Sequence, residues 1–288
     1  MLFAVDRSDR GKLAVTGPEA KAFLQGLVSN DVESLTPGRG CLAAVLTPKG
    51  KMIGDLRVLD LGDELLLDCE RVALQGIFNV LWRGRVGMAV EIHKRTLQMG
   101  LLSVVGETLA GPDEHDNVRT TVAGKPVIAV TTDVGTDLFC ATEDLEAVRG
   151  EFPAGDESDL EVLRVEAGRP RYGVDLDDSV IPQEAGLNDR MVSFTKGCYV
   201  GQETVARLHY RGKPNRHLRG LRLSAPAQPG DEIRYGEKVV GRLGSVVVSP
   251  RLGPIALALV RREAAPGDVV AVGRETTGTL MELPFREA

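Results

Sequence analysis

The residues whose types and spacing suit chemistry are concentrated in one run, Thr195-Lys196-Gly197-Cys198-Tyr199-Val200-Gly201-Gln202-Glu203-Thr204-Val205. A single cysteine stands there among a lysine, two glycines, an amide and a carboxylate. A cation beside a thiol favours the thiolate, the form that acts as nucleophile or metal ligand, and Lys196 is the neighbouring cation. Gly197 and Gly201 are points where the backbone can take a positive φ or approach a ligand closely. The apolar positions Val205, Ala206 and Leu208 suggest that a short helix follows Gln202-Glu203. Cys198 then lies just before a helix N-terminus, whose partial positive charge also favours an anion. The same composition is equally that of an ordinary turn, so the rest of the chain has to decide.

Immediately downstream, Arg207, Arg211, Lys213, Arg216, Arg219 and Arg222 fall between Thr204 and Ser224 with no acid among them, and His209 and His217 are interspersed. Arginine forks suit carboxylates and phosphates, so this cationic zone reads as an anion site. It reads equally as a solvated face paired with Asp175, Asp177 and Asp178. A Cys-His pair would need His209 or His217 to fold back on Cys198, which sequence proximity does not establish. No phosphate-binding Gly-x-x-x-x-Gly-Lys-Ser/Thr run, helix-opening Gly-x-Gly-x-x-Gly, His-Glu-x-x-His motif or EF-hand loop occurs. The four cysteines, Cys41, Cys69, Cys140 and Cys198, are far apart and include no Cys-x-x-Cys pair. That argues against a structural zinc site, and a reducing compartment leaves all four as thiols.

The elements that must position these residues belong to a chain of 288 residues, enough for one large domain or two smaller ones. Hydrophobic residues make up 43% and aromatics only 4%, so the core must be built from Leu, Val and Ala. A net charge of −6 and a pI near 5.4 argue against a dedicated nucleic-acid binder. No apolar run reaches the roughly 18–20 residues that span a bilayer. Met1 to Arg7 lacks a secretory h-region and cleavage site, so a cytoplasmic protein is expected.

Lys12 to Thr16 reads as a strand, and Gly17-Pro18 then starts a helix with Ala20, Phe23, Leu24 and Leu27 on its apolar face. Ser29-Asn30-Asp31-Val32 closes this unit as an ordinary turn. Strands are expected over 41–47, 52–59 and 64–68, with Cys41 and Cys69 as small core residues. Val72 to Trp82 has helical spacing, with Trp82 as a core aromatic. Strands follow within 89–105 and 118–131, with His115 solvated in the loop between them. Thr142 to Arg149 reads as a short helix. Ser158-Asp159-Leu160-Glu161 is a capping box for a helix ending at Gly168. From Leu218 short apolar runs alternate with turns, the spacing of a small all-β barrel or sandwich, with the boundary at 211–215.

Lys196-Gly197-Cys198-Tyr199-Val200-Gly201-Gln202-Glu203, continued by Arg207 and Arg211-Gly212, resembles the signature of the YgfZ proteins. These are folate-binding relatives of the glycine-cleavage T-protein, an aminomethyltransferase, and act in iron–sulfur cluster synthesis and repair. Similar segments lie along nearly the whole chain: Gly17 to Gln25 with Asn30-Asp31-Val32, Leu46 to Leu56, and Leu163 to Gly168 with Tyr172-Gly173 and Pro182-Gln183-Glu184. The resemblance implies an α+β fold: a T-protein-like folate-binding domain with a central opening over residues 1–213, then a small C-terminal β-barrel over 214–288. It implies a tetrahydrofolate site in that opening. There Glu166, in the Arg-x-Glu-x-Gly segment, binds the pterin's exocyclic amine and ring nitrogen through two parallel hydrogen bonds. Tyr172, Glu184 and Asp55 are the further residues expected at the cofactor. Cys198 is the functional thiol with Lys196 beside it, and Gly197, Tyr199, Gly201, Gln202, Glu203 and Arg207 shape its surroundings. The cationic zone suits folate's glutamate tail by its sign.

One departure stands out: aminomethyltransferases carry an acidic pair where this chain has Gly54-Asp55, which favours the YgfZ branch over glycine-cleavage chemistry. The expected protein is thus a monomeric, tetrahydrofolate-binding factor whose partners are folate and iron–sulfur proteins or their assembly machinery. Membranes and nucleic acid are not expected as partners. A single thiolate cannot hold a stable cluster, so no permanently bound metal is expected. The alternatives are a folate-dependent aminomethyl or one-carbon transferase, and an RNA-binding module using residues 207–222.

Overall fold

The computed structural model describes residues 1–285. The chain divides into two compact units, Met1–Glu157 with Asp189–Gln202, and Ser158–Asn188 with the chain from Glu203 onwards.

In chain order the first unit contains β1 (Phe3–Asp6), β2 (Gly11–Thr16), α1 (Ala20–Gln25), β3 (Gly40–Leu46), β4 (Met52–Asp60), β5 (Leu65–Cys69) and α2 (Leu74–Gly84). It continues with β6 (Glu91–Lys94), β7 (Met99–Val105), β8 (Asn117–Val122), β9 (Lys125–Thr131), β10 (Gly135–Ala141) and α3 (Leu145–Arg149). The strands form two antiparallel five-stranded sheets, ordered β3-β4-β5-β2-β6 and β1-β7-β10-β9-β8. Leu59 and Leu66 of the first sheet join Leu101, Val130 and Phe139 of the second in one apolar cluster. Period-2 alternation along β4 puts Leu59, Arg57 and Asp55 on the same face. Arg57 sits there among apolar groups because two acids serve it: Asp68 at 2.6 Å and Asp137 at 2.7 Å. Burial alone would raise the Asp68 carboxyl, but Arg10 and Arg57 hold it well below its ordinary value. The opposite face of β4 receives α2, which buries Ile77 and Leu81.

The second unit carries α4 (Glu157–Glu166), α6 (Gln202–Arg211), and β11 (Arg216–Leu223), β12 (Glu232–Tyr235), β13 (Lys238–Ser249), β14 (Gly253–Arg261), β15 (Val269–Val272) and β16 (Thr276–Met281), while the short α5 (Asn188–Met191) opens the segment 189–202 that belongs to the first unit. The six strands close into a barrel in the order β11-β14-β13-β12-β15-β16. Alternation along β14 sends Ala256, Ala258 and Val260 into the barrel core. Ile255 and Leu257 of the same strand pack outward with Val165 of α4, Leu218 and Phe285. Asp175 ties this unit together. It accepts from the Ser245 backbone N–H (2.7 Å) and hydroxyl (2.9 Å) and pairs with Arg164 at 3.0 Å. Gly244 makes room, since a Cβ there would come within 2.4 Å of the Asp175 carboxylate.

Several local expectations change. The first helix begins at Ala20, because Glu19 turns its carboxylate to the Ala89 N–H across the chain. The helix expected behind a capping box at Ser158 already starts at Glu157, so Ser158 is inside its first turn. Trp82 is not a core residue: it is 48% exposed, stacked on Phe78 at 5.6 Å, with the Arg85 guanidinium 3.6 Å from its ring centroid. His115 is buried rather than solvated. Two of the short apolar runs of the C-terminal part, 238–240 and 244–248, which the sequence separates by a turn, are one strand, β13, with an irregularity between Leu243 and Val246. Strands β10 and β16 carry no expectation from the sequence.

Candidate functional site

The Cys198 segment belongs to the N-terminal unit, where 189–202 returns to strands laid down 150 residues earlier. Lys196 anchors it. Its buried ammonium donates to the carbonyls of Gln25 (2.7 Å), Val28 (2.8 Å) and Asn30 (2.6 Å). These lie at the end of α1 and in the turn beyond it, where helix carbonyls lack intrahelical partners. An ammonium has three N–H donors, and all three are engaged. Burial lowers the Lys196 ammonium to about 8, with Asp31 acting in the opposite direction. Lys196 is therefore not the free cation beside the thiol that the sequence suggests; its charge serves backbone carbonyls and it positions the loop.

Ser29, Asn30 and Asp31, which read as an ordinary turn, form the other half of this anchor. The buried Ser29 hydroxyl donates to the Met191 carbonyl (2.6 Å) and accepts from the Ala44 N–H (2.8 Å). The Asn30 amide reaches the carbonyls of Leu42 and Arg190 at 2.8 and 3.3 Å. Asp31 accepts from the Gln25 amide at 2.9 Å.

On the far side of the cysteine, Tyr199 is buried and Val200 donates its N–H to the Gly26 carbonyl at 3.3 Å. Gly201 has φ +87°, and a Cβ there would lie 2.6 Å from the Thr47 carbonyl and 3.0 Å from Leu46. Glycine is required by both conformation and space. Gly197 differs: it has no positive φ, and nothing lies within 4 Å of where its Cβ would be. Gln202 and Glu203 open α6, and Arg207 lies exposed on it. Fastened at Lys196 and Gly201, the loop presents Cys198 to solvent. Burial, by contrast, pushes the Cys41 and Cys69 thiols up to about 12 and that of Cys140 to about 11.

A second grouping in this unit surrounds Asp55. Its Oδ1 is buried and has no hydrogen-bond partner. The pairing of Leu56 with Cys69 carries Asp55 toward Glu70, just beyond the end of β5. Burial raises the Asp55 carboxyl to about 6, against the pull of Arg10 and with the push of Glu70. Arg10 is itself engaged by Asp68 at 2.9 Å and by Glu70. The neighbouring Gly54 points the other way. A Cβ there would be 2.6 Å from that of Ala73 and 3.1 Å from Ile77, so helix packing leaves no space for an acid at 54. The sequence reading missed Arg10, Arg57, Asp68, Glu70 and Asp137; the signal was charged residues standing inside apolar strand runs.

The remaining expected cofactor residues, Glu166, Tyr172 and Glu184, lie in the C-terminal unit. Glu166, at the end of α4, accepts from the Ser249 hydroxyl through Oε1 and from the Arg251 guanidinium through Oε2. Burial would raise its carboxyl, and these two donors hold it below its ordinary value. Tyr172 is buried and bridges to Leu176. Glu184 binds Arg216 through both oxygens, at 3.2 and 2.9 Å. The cationic zone thus divides. Arg216 pairs with Glu184 and Arg219 with Glu282, rather than with Asp175, while Arg207, Arg211 and Lys213 are exposed. Among the described residues no group of three His, Cys, Asp or Glu could hold a metal ion, and no helix is long and apolar enough to cross a membrane.

Two family models match the chain: the GCVT N-terminal domain over residues 3–122 and the glycine cleavage T-protein C-terminal barrel domain over 216–285. An Arabidopsis thaliana protein named as a chloroplastic transferase is 29% identical over 98% of this chain and 70% of its own length. The crystal structure of the glycine cleavage system aminomethyltransferase T from Bartonella henselae superposes with a TM-score of 0.85 at 21% identity, covering 98% of this chain and 86% of that one. At that identity the likeness is one of fold.

Proposed function

We propose, on the premise that the chain belongs to the glycine-cleavage T-protein-like family, that it is a cytoplasmic tetrahydrofolate-binding factor supporting iron–sulfur cluster assembly or repair, with Cys198 as its functional thiol. The observation that carries the thiol role is the contrast among the four cysteines. Cys198 is exposed on a loop pinned at both ends, whereas burial keeps Cys41, Cys69 and Cys140 protonated. A pinned, accessible thiol suits transient contact with an iron–sulfur cargo. A lasting cluster site needs several thiolates.

The residues fit the folate part of the reading by the chemistry of their donors and acceptors. Glu166 is a nearly buried carboxylate, the acceptor that the N–H donors of a 2-amino-4-oxo pterin edge need, and Ser249 and Arg251 donate to it in this structure. Tetrahydrofolate supplies a carrier of one-carbon units. On this chain Glu166 orients its pterin edge, and Tyr172 adds a buried ring for packing.

The test is rescue of iron–sulfur enzyme activity in cells lacking the factor. Cys198→Ala is expected to fail where Cys140→Ala succeeds; full rescue by Cys198→Ala would end the thiol role. Calorimetric titration with tetrahydrofolate is expected to show binding by wild type and its loss in Glu166→Ala. A second reading, a folate-dependent one-carbon transferase, is favoured by Asp55, whose buried, unpartnered oxygen and raised carboxyl suit proton transfer near neutrality. Tetrahydrofolate-dependent aminomethyl transfer by the purified protein would favour it. RNA affinity with a steep salt dependence would instead point to Arg207, Arg211 and Lys213.

A further inference from the structure

From Arg71 to Val90 the chain holds three arginines and no acid, in a protein whose net charge is −6. α2 lies in this stretch. It buries Ile77 and Leu81 against its sheet, so Phe78 and Trp82, one residue further on, point about 100° round the helix from that face. The two rings stack at 5.6 Å. Lys94 lies over the Phe78 ring at 4.3 Å, and Arg85 over the Trp82 ring at 3.6 Å. The row Lys94–Phe78–Trp82–Arg85 thus runs from β6, the edge strand of the first sheet, to the residue that caps α2. Val86, one helical turn beyond Trp82 in sequence, is 84% exposed. Alternation along β6 sends Ile92 and Lys94 to one face and Glu91 and His93 to the other, where Glu91 stands 3.6 Å from His93. Among the described residues the side chains of Arg83, Arg85 and Lys94 have no carboxylate partner, and the Arg85 Nε is buried without a hydrogen bond.

We infer that this row is a docking surface for an acidic segment of a partner protein, one that carries an apolar side chain between its carboxylates. Three cations without counter-charges on one flank of an acidic protein match an anionic partner by sign. A guanidinium held over a ring has already given up rotamer freedom, so less is lost when its N–H donors take a carboxylate. Arg85 is withdrawn from water at Nε with only a ring as counterweight, and a carboxylate on its terminal nitrogens supplies the missing charge. The exposed part of Trp82 and the Val86 side chain receive the apolar anchor; tryptophan and arginine are the side chains that carry most binding energy at protein interfaces. A single strand of nucleic acid fits less well, because it stacks bases on free ring faces, and here Arg85, Lys94 and the Phe78–Trp82 stack occupy ring faces. A membrane surface also fits less well: binding there scales with the apolar area inserted, and α2 commits Ile77 and Leu81 to its sheet. The inference goes beyond the folate and thiol reading and shares no residue with it.

Trp82 is the sole tryptophan, so the intrinsic fluorescence of the full chain reports on the row directly. A synthetic peptide of repeated Glu-Glu-Leu units is expected to shift Trp82 emission. Its dye-labelled form is expected to titrate in fluorescence anisotropy, with binding that weakens as sodium chloride is raised. Arg83→Glu and Arg85→Glu are each expected to weaken that binding about tenfold or more, and Lys94→Glu, on a different element, to act in the same direction. Unchanged melting temperatures establish that the variants fold, and Arg85→Gln, which removes the charge without reversing it, replaces any that does not. No emission shift and no titration with the Glu-Glu-Leu peptide overturns the docking surface. Binding that is unchanged in all the charge variants overturns its location. Equal binding of a peptide of Glu-Glu-Ser units overturns the apolar anchor. Tighter binding of oligothymidylate or of phosphatidylserine vesicles, lost in Arg85→Glu, overturns the acidic protein segment as occupant in favour of nucleic acid or a membrane.

Discussion

Replacing Asp55 by asparagine is expected to stabilise the protein at neutral pH and to do nothing in acid. The Asp55 carboxyl has a buried oxygen without a partner, and burial raises it from 3.8 to about 6 against the pull of Arg10. The folded protein therefore holds this proton more tightly than the unfolded chain. Between pH 3.8 and about 6 the folded state binds more protons, so this group's contribution to stability falls as pH rises through that window. Above it the carboxylate is ionised in both states, and its burial costs about 3 kcal/mol, at 1.36 kcal/mol per pH unit of displacement. Asparagine keeps the shape and abolishes the titration. Urea unfolding at a series of pH values should show Asp55→Asn more stable than wild type by about 2–3 kcal/mol at pH 8, with the difference shrinking to near zero at pH 4. A difference that does not vary between pH 4 and 8, or an asparagine variant less stable at pH 8, would refute the reasoning. It would mean that the Asp55 carboxylate is better solvated or better paired by Arg10 than its geometry shows.

Three further outcomes follow from the same geometry. Lys196→Met removes the donor shared by three carbonyls and should lower stability by about 2–4 kcal/mol, since a buried acceptor left unsatisfied costs roughly 1–3 kcal/mol and water recovers part of the loss; calorimetric melting checks it, and an unchanged melting temperature would contradict the anchor. Gly201→Ala meets both a positive φ and the Thr47 carbonyl at 2.6 Å, so it should destabilise by about 2 kcal/mol or more, whereas Gly197→Ala, in open space, should fall within about 0.5 kcal/mol of wild type in the same denaturant titration. Native protein treated with a maleimide should modify Cys198 rapidly, the half-buried Cys41 more slowly, and the buried Cys69 and Cys140 only after unfolding; mass mapping that finds Cys41, Cys69 or Cys140 modified equally fast would remove the contrast on which the thiol role stands.

Much of the architecture is written in local patterns. The β13–β14 region reads as strands from its apolar runs alone, and α2 from the spacing of Leu74, Ile77 and Leu81. The run around Cys198 was legible as a candidate because a cysteine stands there beside a lysine and between two glycines, and what set it apart from an ordinary turn was the resemblance of the whole run. What local pattern misjudged has a common cause: a partner distant in sequence. Glu19 leaves α1 for Ala89, and Ser29 to Asp31 become the seat of a loop more than 160 residues away.

The sequence by itself determined much of the order of strands and helices, β10 and β16 apart, the change to short β elements after residue 216, the cluster of residue types around Cys198 and the missing acid at position 54. Period-2 and 3.6-residue repeats, turn formers and side-chain chemistry are all local properties. Only the tertiary structure decided what those residues do. It directed the Lys196 ammonium to carbonyls of residues 25, 28 and 30, brought Arg251 to Glu166 across 85 positions, and turned Gly54 toward α2 while leaving Asp55 buried on the opposite face with an unpartnered oxygen. The physical reason is that protonation and accessibility depend on burial and on the nearest charge, and both are set by chain segments that meet only when the sheets and the barrel close.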